Sequence, residues 1–539
     1  MVWSKRLLTP TSLLVCSSAC WFLLSAIVGI WASYEPATAL RRFSLLVFAL
    51  AMMLGIAWIG QRKPKTTLAA VGLVSSLLSA GISLAFLSGI VDNSGMAASA
   101  LMVLTPLAAA AAIWHYRSGN APWLISNGLC LLVTLVGLLF SGERTAWLGL
   151  LMGSGFAAWV AWRSATKNES LRTLSDVALI LGFGLILLVS SAIIISSAYD
   201  PYLYTLPFGE VLFERIPLWR ASLGLVEDFQ FSGSGLGSTA MIFSTYAYLI
   251  RVPFFYHAHN LYLQIALEQG LPGLFAFLCL ALPLVVNLVK ICRIADSHLR
   301  PFVLLTLAAA VAVLMYGLLD AELFAFWFAP LLFLPFGCAL LLHWTPQHTH
   351  QSDRLQAPPL LGRLGWCTAA PLLTVVVLIG QPSFPAKLYA NLGAVAQAKA
   401  ELGLFDWNRW HLQDEVRRNG HANLSSAVQH YEAALALDPD NVTAHERLGQ
   451  IALANSDYGT ALRHLQLVYA LAPEREATRQ MLGEVFAVRG ELGEAAALWR
   501  TINPAGDKLE EREWWYDYLG DQHQEEAKRI RQVIARITS

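Results

Sequence analysis

Charge is what this 539-residue chain has least of. Asp, Glu, Lys and Arg make up 14% of it, where an ordinary soluble domain carries roughly 25%. The 37 basic and 37 acidic residues cancel to a formal net charge of +0. That balance excludes a nucleic-acid binder working through a basic surface. With 56% apolar residues, the chain is also excluded from the disordered class, which combines low hydrophobicity with high net charge. Cysteine is sparse as well. All seven (Cys16, Cys20, Cys130, Cys279, Cys292, Cys338 and Cys367) lie in apolar stretches. None falls in the long polar loop or the C-terminal region, so no disulfide framework is implied. In lipid such cysteines act as small apolar fillers.

The scarce charge is unevenly spread. After residue 384 there are 17 Lys/Arg and 22 Asp/Glu, while the first 383 residues hold only 20 basic and 15 acidic residues. This predicts an integral membrane domain over 1–383 and a soluble, mildly acidic domain over 384–539. A span needs about 20 mostly apolar residues. On that rule eleven spans are expected, near 11–31, 41–60, 67–90, 97–115, 122–140, 145–162, 174–197, 272–292, 301–319, 323–343 and 364–381. The first is long, lacks a small-x-small cleavage site and is followed by more spans, so it reads as a retained helix and not a signal peptide. With the N-terminus placed in the cytoplasm, the short inner segments carry 14 Lys/Arg and the short outer loops only Arg41, Arg42 and Arg144. By the positive-inside rule, the long loop of about 198–271 and the C-terminal domain then lie outside. In a double-membrane envelope, outside is the periplasm.

The C-terminal domain repeats with a period of 34. Ala427, Ala461 and Ala495 are spaced 34 apart, as are Tyr431, Leu465 and Trp499, and Pro439 pairs with Pro473, Leu448 with Leu482 and Gly449 with Gly483. Small residues at fixed helical positions allow close helix pairing, and a proline opens the next helix where its missing N–H costs nothing. This resembles a tetratricopeptide (TPR) array over about 424–502. Such an array is a spacer or a concave partner-binding surface; both readings stay open. Asp438-Pro439-Asp440 sits at a repeat turn and reads as turn chemistry, and the charged, aromatic tail 508–539 as a capping helix pair.

Chemistry-bearing residues converge on the outer face. Ser141-Gly142-Glu143-Arg144-Thr145-Ala146 lies between the fifth and sixth spans; anchoring is the plainer reading of its arginine. In Glu214-Arg215-Ile216-Pro217-Leu218-Trp219-Arg220, Pro217 fits the first position of a helix running to about Asp228. Arg215 then precedes the helix and Arg220 falls in its second turn. A helix N-terminus flanked by two guanidinium groups suits a phosphate, while solvated arginines on a surface helix are the competing reading. In the third segment, His257-Ala258-His259-Asn260, Asn260 is expected to cap a short helix 261–269, with Gly270 ending it and Pro272 opening the next span. A helix broken at membrane depth is tolerated where backbone lines a cavity or is buried in protein, which puts the histidines at a cavity mouth. No third Cys or His lies near His257 and His259, and zinc sites take three or four protein ligands, so no metal is assigned. A histidine with its unperturbed pKa of ~6.5 is suited to general-base work.

Together these segments resemble the O-antigen ligase / O-antigen polymerase superfamily of membrane glycosyltransferases, over roughly residues 10–345. His259, Asn260, nine residues, then Gly270-Leu271-Pro272-Gly273 fit its most specific pattern; Ser141, Arg144 and Ala146, then Arg215, Trp219 and the Gly-x-Gly of 235–237, fit the others. The resemblance implies an all-α polytopic bundle of the C-type membrane glycosyltransferase kind, followed here by the TPR solenoid. It implies a polyprenyl-diphosphate-linked glycan as donor, His259 as base, and Arg144, Arg215 and Arg220 as diphosphate ligands, with Arg215 matching better than Arg220. His257, Asn260, Trp219 and Glu268 are expected as supporting residues, and no metal or cofactor is required. The expected place is the cytoplasmic (inner) membrane. Glu268 and the pair Asp320/Glu322 read chiefly as structural, with orientation of the histidine as the alternative.

The acceptor stays open between lipid A core (a ligase), a growing glycan (a polymerase) and protein (an O-oligosaccharyltransferase). The TPR domain is left with a protein partner or none. A lipid-linked glycan transporter is the rival of another class. Transporters often carry paired broken helices in two repeated halves, and here one broken helix is seen, in the second half. A membrane-anchored scaffold is the last rival, and a single anchoring helix would serve it.

Overall fold

The computed structural model describes residues 9–166, 209–249, 256–345, 360–406, 409, 415–502 and 508–538, and every regular element among them is helical. Six helices come first: α1 (Pro10–Ala32), α2 (Pro36–Gly60), α3 (Pro64–Leu87), α4 (Ser94–Arg117), α5 (Ala121–Phe140) and α6 (Arg144–Ala165). Their starts follow local chemistry. Proline opens α1, α2 and α3, and the side chains of Thr9 and Asn93 accept from the backbone N–H groups of Ser12 and Met96, relieving donors that a helix start leaves orphaned. After them come α7 (Gly209–Asp228), the single turn α8 (Thr239–Ile242) running into a π-helical turn (Phe243–Ala247), and the long α9 (Leu261–Ile294). Next are α10 (Arg300–Tyr316), the short α11 (Glu322–Ala325), α12 (Ala329–Trp344) and α13 (Leu360–Ile379).

Among the described residues, α1 to α6 and α9 are long and apolar enough to cross a bilayer, which gives seven candidate spans. An eighth is reached if α13 is counted with α14 (Phe384–Leu402), from which it is bent by 100°. The expected spans at 301–319 and 323–343 correspond to α10 and α12, which have 17 and 16 residues. At 1.5 Å per residue these are about 25 Å long, short of a ~30 Å hydrocarbon core. The reason is local: the chain leaves the helix after Tyr316 to form the turn that carries Asp320, makes the single turn α11 and re-enters a longer helix at Ala329. The expected span at 174–197 lies outside the described residues.

The bundle pairs α9 with α1, α12 with α2, α10 with α6 and α3 with α4. At its centre Phe22, Phe277, Phe333 and Phe336 pack edge-on or tilted, with ring centroids 5.9–6.5 Å apart, the arrangement aromatic quadrupoles favour. In lipid, helices associate by close packing more than by hydrophobicity.

The C-terminal helices are α14, α15 (Glu415–Arg418), α16 (Ser425–Leu437), α17 (Val442–Ala454), α18 (Tyr458–Leu471), α19 (Glu476–Arg489), α20 (Leu492–Trp499), α21 (Lys508–Tyr518) and α22 (Gln524–Thr538). They stack as antiparallel pairs α14/α16, α17/α18 and α19/α20, closed by the pair α21/α22. In each of the first three pairs a glycine lies under a large side chain: Gly393 under Tyr431, Gly449 under Leu465, Gly483 under Trp499. The repeat thus begins earlier than the expected residue 424. Its first helix is α14, and the segment between α14 and α16 hides the register, because it pushes Gly393 out of the period of 34.

The first helices of these pairs face the segment 227–248. Asp228, buried at the end of α7, accepts from Arg447 Nη2 at 2.7 Å, Thr443 Oγ1 at 2.7 Å and Arg475 Nη1 at 3.1 Å. Arg447 also stacks over the Tyr246 ring at 3.9 Å, and the Tyr246 hydroxyl donates to Glu401 at 3.0 Å. Asn391 on α14 accepts from the backbone N–H of Phe231 at 2.8 Å and of Ser232 at 3.3 Å. The repeat stack therefore grips the loop that carries α7.

Candidate active site at a broken helix

Helix α9 starts where Asn260 Oδ1 accepts from the backbone N–H of Tyr262 and Leu263, both at 3.0 Å. It breaks at Gly270, whose φ of 69° and ψ of −178° belong to a region that is nearly glycine-only. The break orphans backbone groups, and the Gly-rich loop fills it. Gln230 O accepts from Leu271 N at 2.9 Å, and Ser234 N donates to Leu267 O at 2.7 Å. Gly233 lies directly on the Glu268–Gln269 backbone, where a Cβ would have no room.

One residue before Asn260, His259 adopts a left-handed φ of 45°, uncommon for a residue with a side chain. Three contacts hold its backbone. Trp219 Nε1 donates to His259 O at 3.2 Å. His259 N donates to His257 Nδ1 at 3.3 Å. Ala258 N donates to Gln264 Oε1 at 2.8 Å. The two imidazole rings lie 4.1 Å apart. Because His257 Nδ1 accepts, its proton belongs on Nε2, which faces Glu322 Oε1 at 3.4 Å; the tautomer follows from the hydrogen bonds around it.

The His259 side chain is half-buried, and its Nδ1 lies 3.3 Å from Asp320 Oδ2. Among the described residues Nε2 has no hydrogen-bond partner. Asp320 is buried and well used. Its Oδ1 accepts from the backbone N–H of Ala321 at 2.7 Å and Glu322 at 3.2 Å. Arg215 Nη2 reaches Oδ2 at 3.5 Å, and Arg215 Nη1 donates to Leu319 O at 2.5 Å. Burial alone would raise the Asp320 carboxyl. The hydrogen bond to His259, the two imidazoles beside it and the Arg215 guanidinium outweigh it and hold the group below the ordinary carboxylate range.

Each expected residue has a definite place. His259, His257, Asn260, Trp219 and Arg215 come together. Arg215 does not precede a helix: α7 runs Gly209–Asp228 with Pro217 inside it, so no helix N-terminus lies beside the two arginines. Proline removes only its own N–H, and with Ile216, Leu218 and Leu225 buried, the flanking packing keeps α7 continuous at that cost. On this helix Trp219 follows Arg215 by one turn and shares its face. Arg220 is exposed and turned about 140° away at 3.6 residues per turn. Arg144 opens α6 and is exposed. Its neighbour Glu143 accepts from Ser94 Oγ at 2.7 Å, and the adjoining Gly95 packs against the Glu322 carboxylate, so the Arg144 turn sits at the same end of the bundle. Glu268 does not touch His259. It is buried with Gln264 Nε2 at 2.7 Å, Thr239 Oγ1 at 3.4 Å and Arg42 Nη2 at 3.4 Å.

Three further residues complete the cluster. Asp320 and Glu322 were expected chiefly as structural residues with orientation of the histidine as the alternative, and Asp320 Oδ2 lies 3.3 Å from His259 Nδ1. Gln264 lies among the nine residues between His259 and Gly270 and carries no local signal. The nitrogen and oxygen atoms of His257, His259 and Asp320 fall within 4.8 Å of one another, so Asp320 supplies the third ligand type that the sequence lacked. The Arg215 guanidinium already holds that carboxylate, however, and His257 Nδ1 already accepts the His259 N–H. Both favour a hydrogen-bonded ion-pair cluster over a cation cage.

The fold and this cluster define a class: an all-α, multi-pass membrane protein with a histidine–carboxylate–arginine site on loops at one end of the bundle, backed by helical repeats. The family model described as O-antigen ligase matches residues 129–278, and the model described as TPR repeat matches 423–456. The chain is thus a multi-pass membrane protein that carries a segment matching the O-antigen ligase model and a C-terminal TPR repeat. No curated protein matches it. The matched stretch contains Arg144, Arg215, Trp219, His259 and Gly270; Asp320 lies beyond it.

Proposed function

We propose that the chain is a glycosyltransferase that moves a glycan from a polyprenyl-diphosphate carrier to an acceptor hydroxyl at the outer face of the cytoplasmic membrane. The N-terminus would be cytoplasmic and the repeats, from about residue 384, periplasmic. The observation that carries this reading is the His259–Asp320 pair. With Nδ1 turned to the carboxylate, Nε2 is the basic nitrogen, and Arg215 shares the same carboxylate oxygen. His259 takes the proton of the acceptor hydroxyl, and the acceptor oxygen attacks the anomeric carbon. The bond from that carbon to the phosphate oxygen breaks, and its electron pair leaves with the diphosphate. Arg215, whose remaining N–H donors have no partner among the described residues, stabilises that charge as it develops, with Arg144 second. Arg220 faces elsewhere and is given no role on the diphosphate. Asp320 holds the imidazole in one tautomer and stabilises the imidazolium. Attack opposite the leaving group inverts the anomeric centre. The reading requires no metal or cofactor. The enzyme is O-antigen ligase-like, with an O-antigen or exopolysaccharide polymerase or a protein O-oligosaccharyltransferase as the alternative.

The test is in cells lacking their own copy of the gene, expressing wild type or His259→Ala. Surface glycolipids, glycoproteins and carrier-linked glycan are separated on gels, and membranes are assayed with and without a chelator. The expectation is transfer by wild type, unchanged by the chelator, and carrier-linked chains accumulating in the variant. Chains that fail to lengthen would make the protein a polymerase. Transfer by His259→Ala at equal expression would overturn the catalytic reading and favour the transporter or scaffold, and loss with the chelator would favour a metal site.

A further inference from the structure

His259 performs no chemistry unless its strained turn is held, and the group that holds it from below is a buried amide. We propose that Gln264 is the positioning residue of the His259 turn: its side chain ties the Ala258 N–H to a carboxylate-locked network and so keeps His259 aimed at Asp320. This rests on the reading of His259 as the base.

Gln264 lies on the first turns of α9, five residues after His259, and is fully buried. Its Oε1 accepts from Ala258 N at 2.8 Å, and its Nε2 donates to Glu268 Oε1 at 2.7 Å and to Thr239 Oγ1 at 2.9 Å. Only one orientation of the amide fits, because an N–H has to face the carboxylate and an oxygen has to face the N–H of Ala258. Glu268 sits one helical turn further on and sets that orientation. Glu268 is itself held by Arg42 at 3.4 Å, whose guanidinium lies 5.8 Å from the Phe324 ring on α11. The chain Arg42–Glu268–Gln264–Ala258 therefore connects α2, α9 and α8 to the backbone immediately before His259. Trp219 holds the carbonyl side of the same residue. Without the Gln264 anchor, the turn is free to relax from its left-handed conformation, and the imidazole leaves Asp320. A buried glutamine serving only as a satisfied core group would not need its oxygen directed at the one backbone N–H that precedes the strained residue.

Gln264→Leu removes the anchor at similar volume. The expected result is a fall in kcat on the order of 100-fold, the loss a misplaced catalytic group produces, with the KM for the carrier-linked donor little changed. Diethyl pyrocarbonate labelling of His259, read by mass spectrometry, is expected to speed up severalfold. The rescue is the exchange Gln264→Glu with Glu268→Gln. A carboxylate at 264 still accepts from Ala258, and an amide at 268 now donates back to it, so the network closes with its polarity reversed. Most of kcat and the slow labelling are expected to return, which also covers the case in which Gln264→Leu fails to fold. Wild-type kcat and labelling in Gln264→Leu, or an exchange variant no better than Gln264→Glu alone, would overturn the proposal. If His259→Ala still transfers glycan, the base reading fails instead, and the labelling rates judge the turn by themselves.

Discussion

Asp320 answers to two histidines and an arginine at once, and its position in the chain gives it little freedom to leave them. Two backbone N–H groups fix one oxygen, so the other stays on the line between Arg215 and His259. Asp320→Asn preserves the shape but offers an amide where the imidazole needs an acceptor for its Nδ1–H. The expected outcome is a loss of turnover on the order of 10²–10⁴-fold with normal expression, as wrong-tautomer variants of oriented histidines behave, measured as initial rate on isolated membranes. The pH dependence has a definite sign. The Asp320 carboxyl is held below its unfolded value of ~3.9, so its stabilising contribution is complete above that value and is lost as pH falls through the lower folded value. Between about pH 5 and 8 it does not titrate. His259, Trp219 and Arg215 were readable because each belongs to a short local pattern. Asp320 was read only as an alternative orienter beside Glu268 and Glu322, because it meets His259 from 61 positions away through the turn after α10.

At the scale of the element, the site depends on a helix that is broken and a loop that fits the break. Asn260, Gly270 and Pro272 announced the break in the sequence, since capping and stopping are local chemistry. The loop's job was hidden: nothing local says that Ser234 N donates to Leu267 O or that Gln230 O accepts from Leu271 N. Pro217 misled for the same reason in reverse, because a local helix-start signal was overridden by packing along α7. Gly270→Ala is predicted to be severe. A side chain in that conformation costs roughly 1–3 kcal/mol, and its Cβ would sit 2.8 Å from Gln230 O and 2.9 Å from Phe231 C, both backbone atoms. A lowered unfolding temperature in detergent and lost transfer are expected together. Gly155→Ala on α6 is the control, for nothing lies within 4 Å of a Cβ there, and it is expected to be silent.

The whole molecule shows why the repeats belong to this chain. The period of 34 was plain, as was the capping pair, because repeats are written locally. What the repeats bind was not, since Asp228 and Arg447 are 219 positions apart. Their inner face is taken up by residues 227–248, so a protein partner on that face competes with Asp228 and Tyr246. Breaking the grip is predicted to loosen the loop that positions Arg215 and Trp219. Asp228→Asn leaves Arg447 and most of Arg475 buried with less charge to face, and removing one partner of a buried pair typically costs about 3–5 kcal/mol. Arg447→Met with Asp228→Leu removes both charges and is expected to cost less than either single change, because Arg475 keeps Glu446 at 2.5 Å and Glu227 at 2.7 Å. Limited proteolysis within 229–248 is the readout: fast cutting for the single variants, slower for the double, and slowest for wild type. Acid is expected to mimic Asp228→Asn. Burial would raise the Asp228 carboxyl, but Arg475 and Arg447 hold it below the ordinary range. The grip therefore stays at full strength above ~4 and fails as pH falls below that. Cutting that is already fast at pH 7 in wild type would mean that the repeats do not hold the loop in solution and that their inner face is open to other partners.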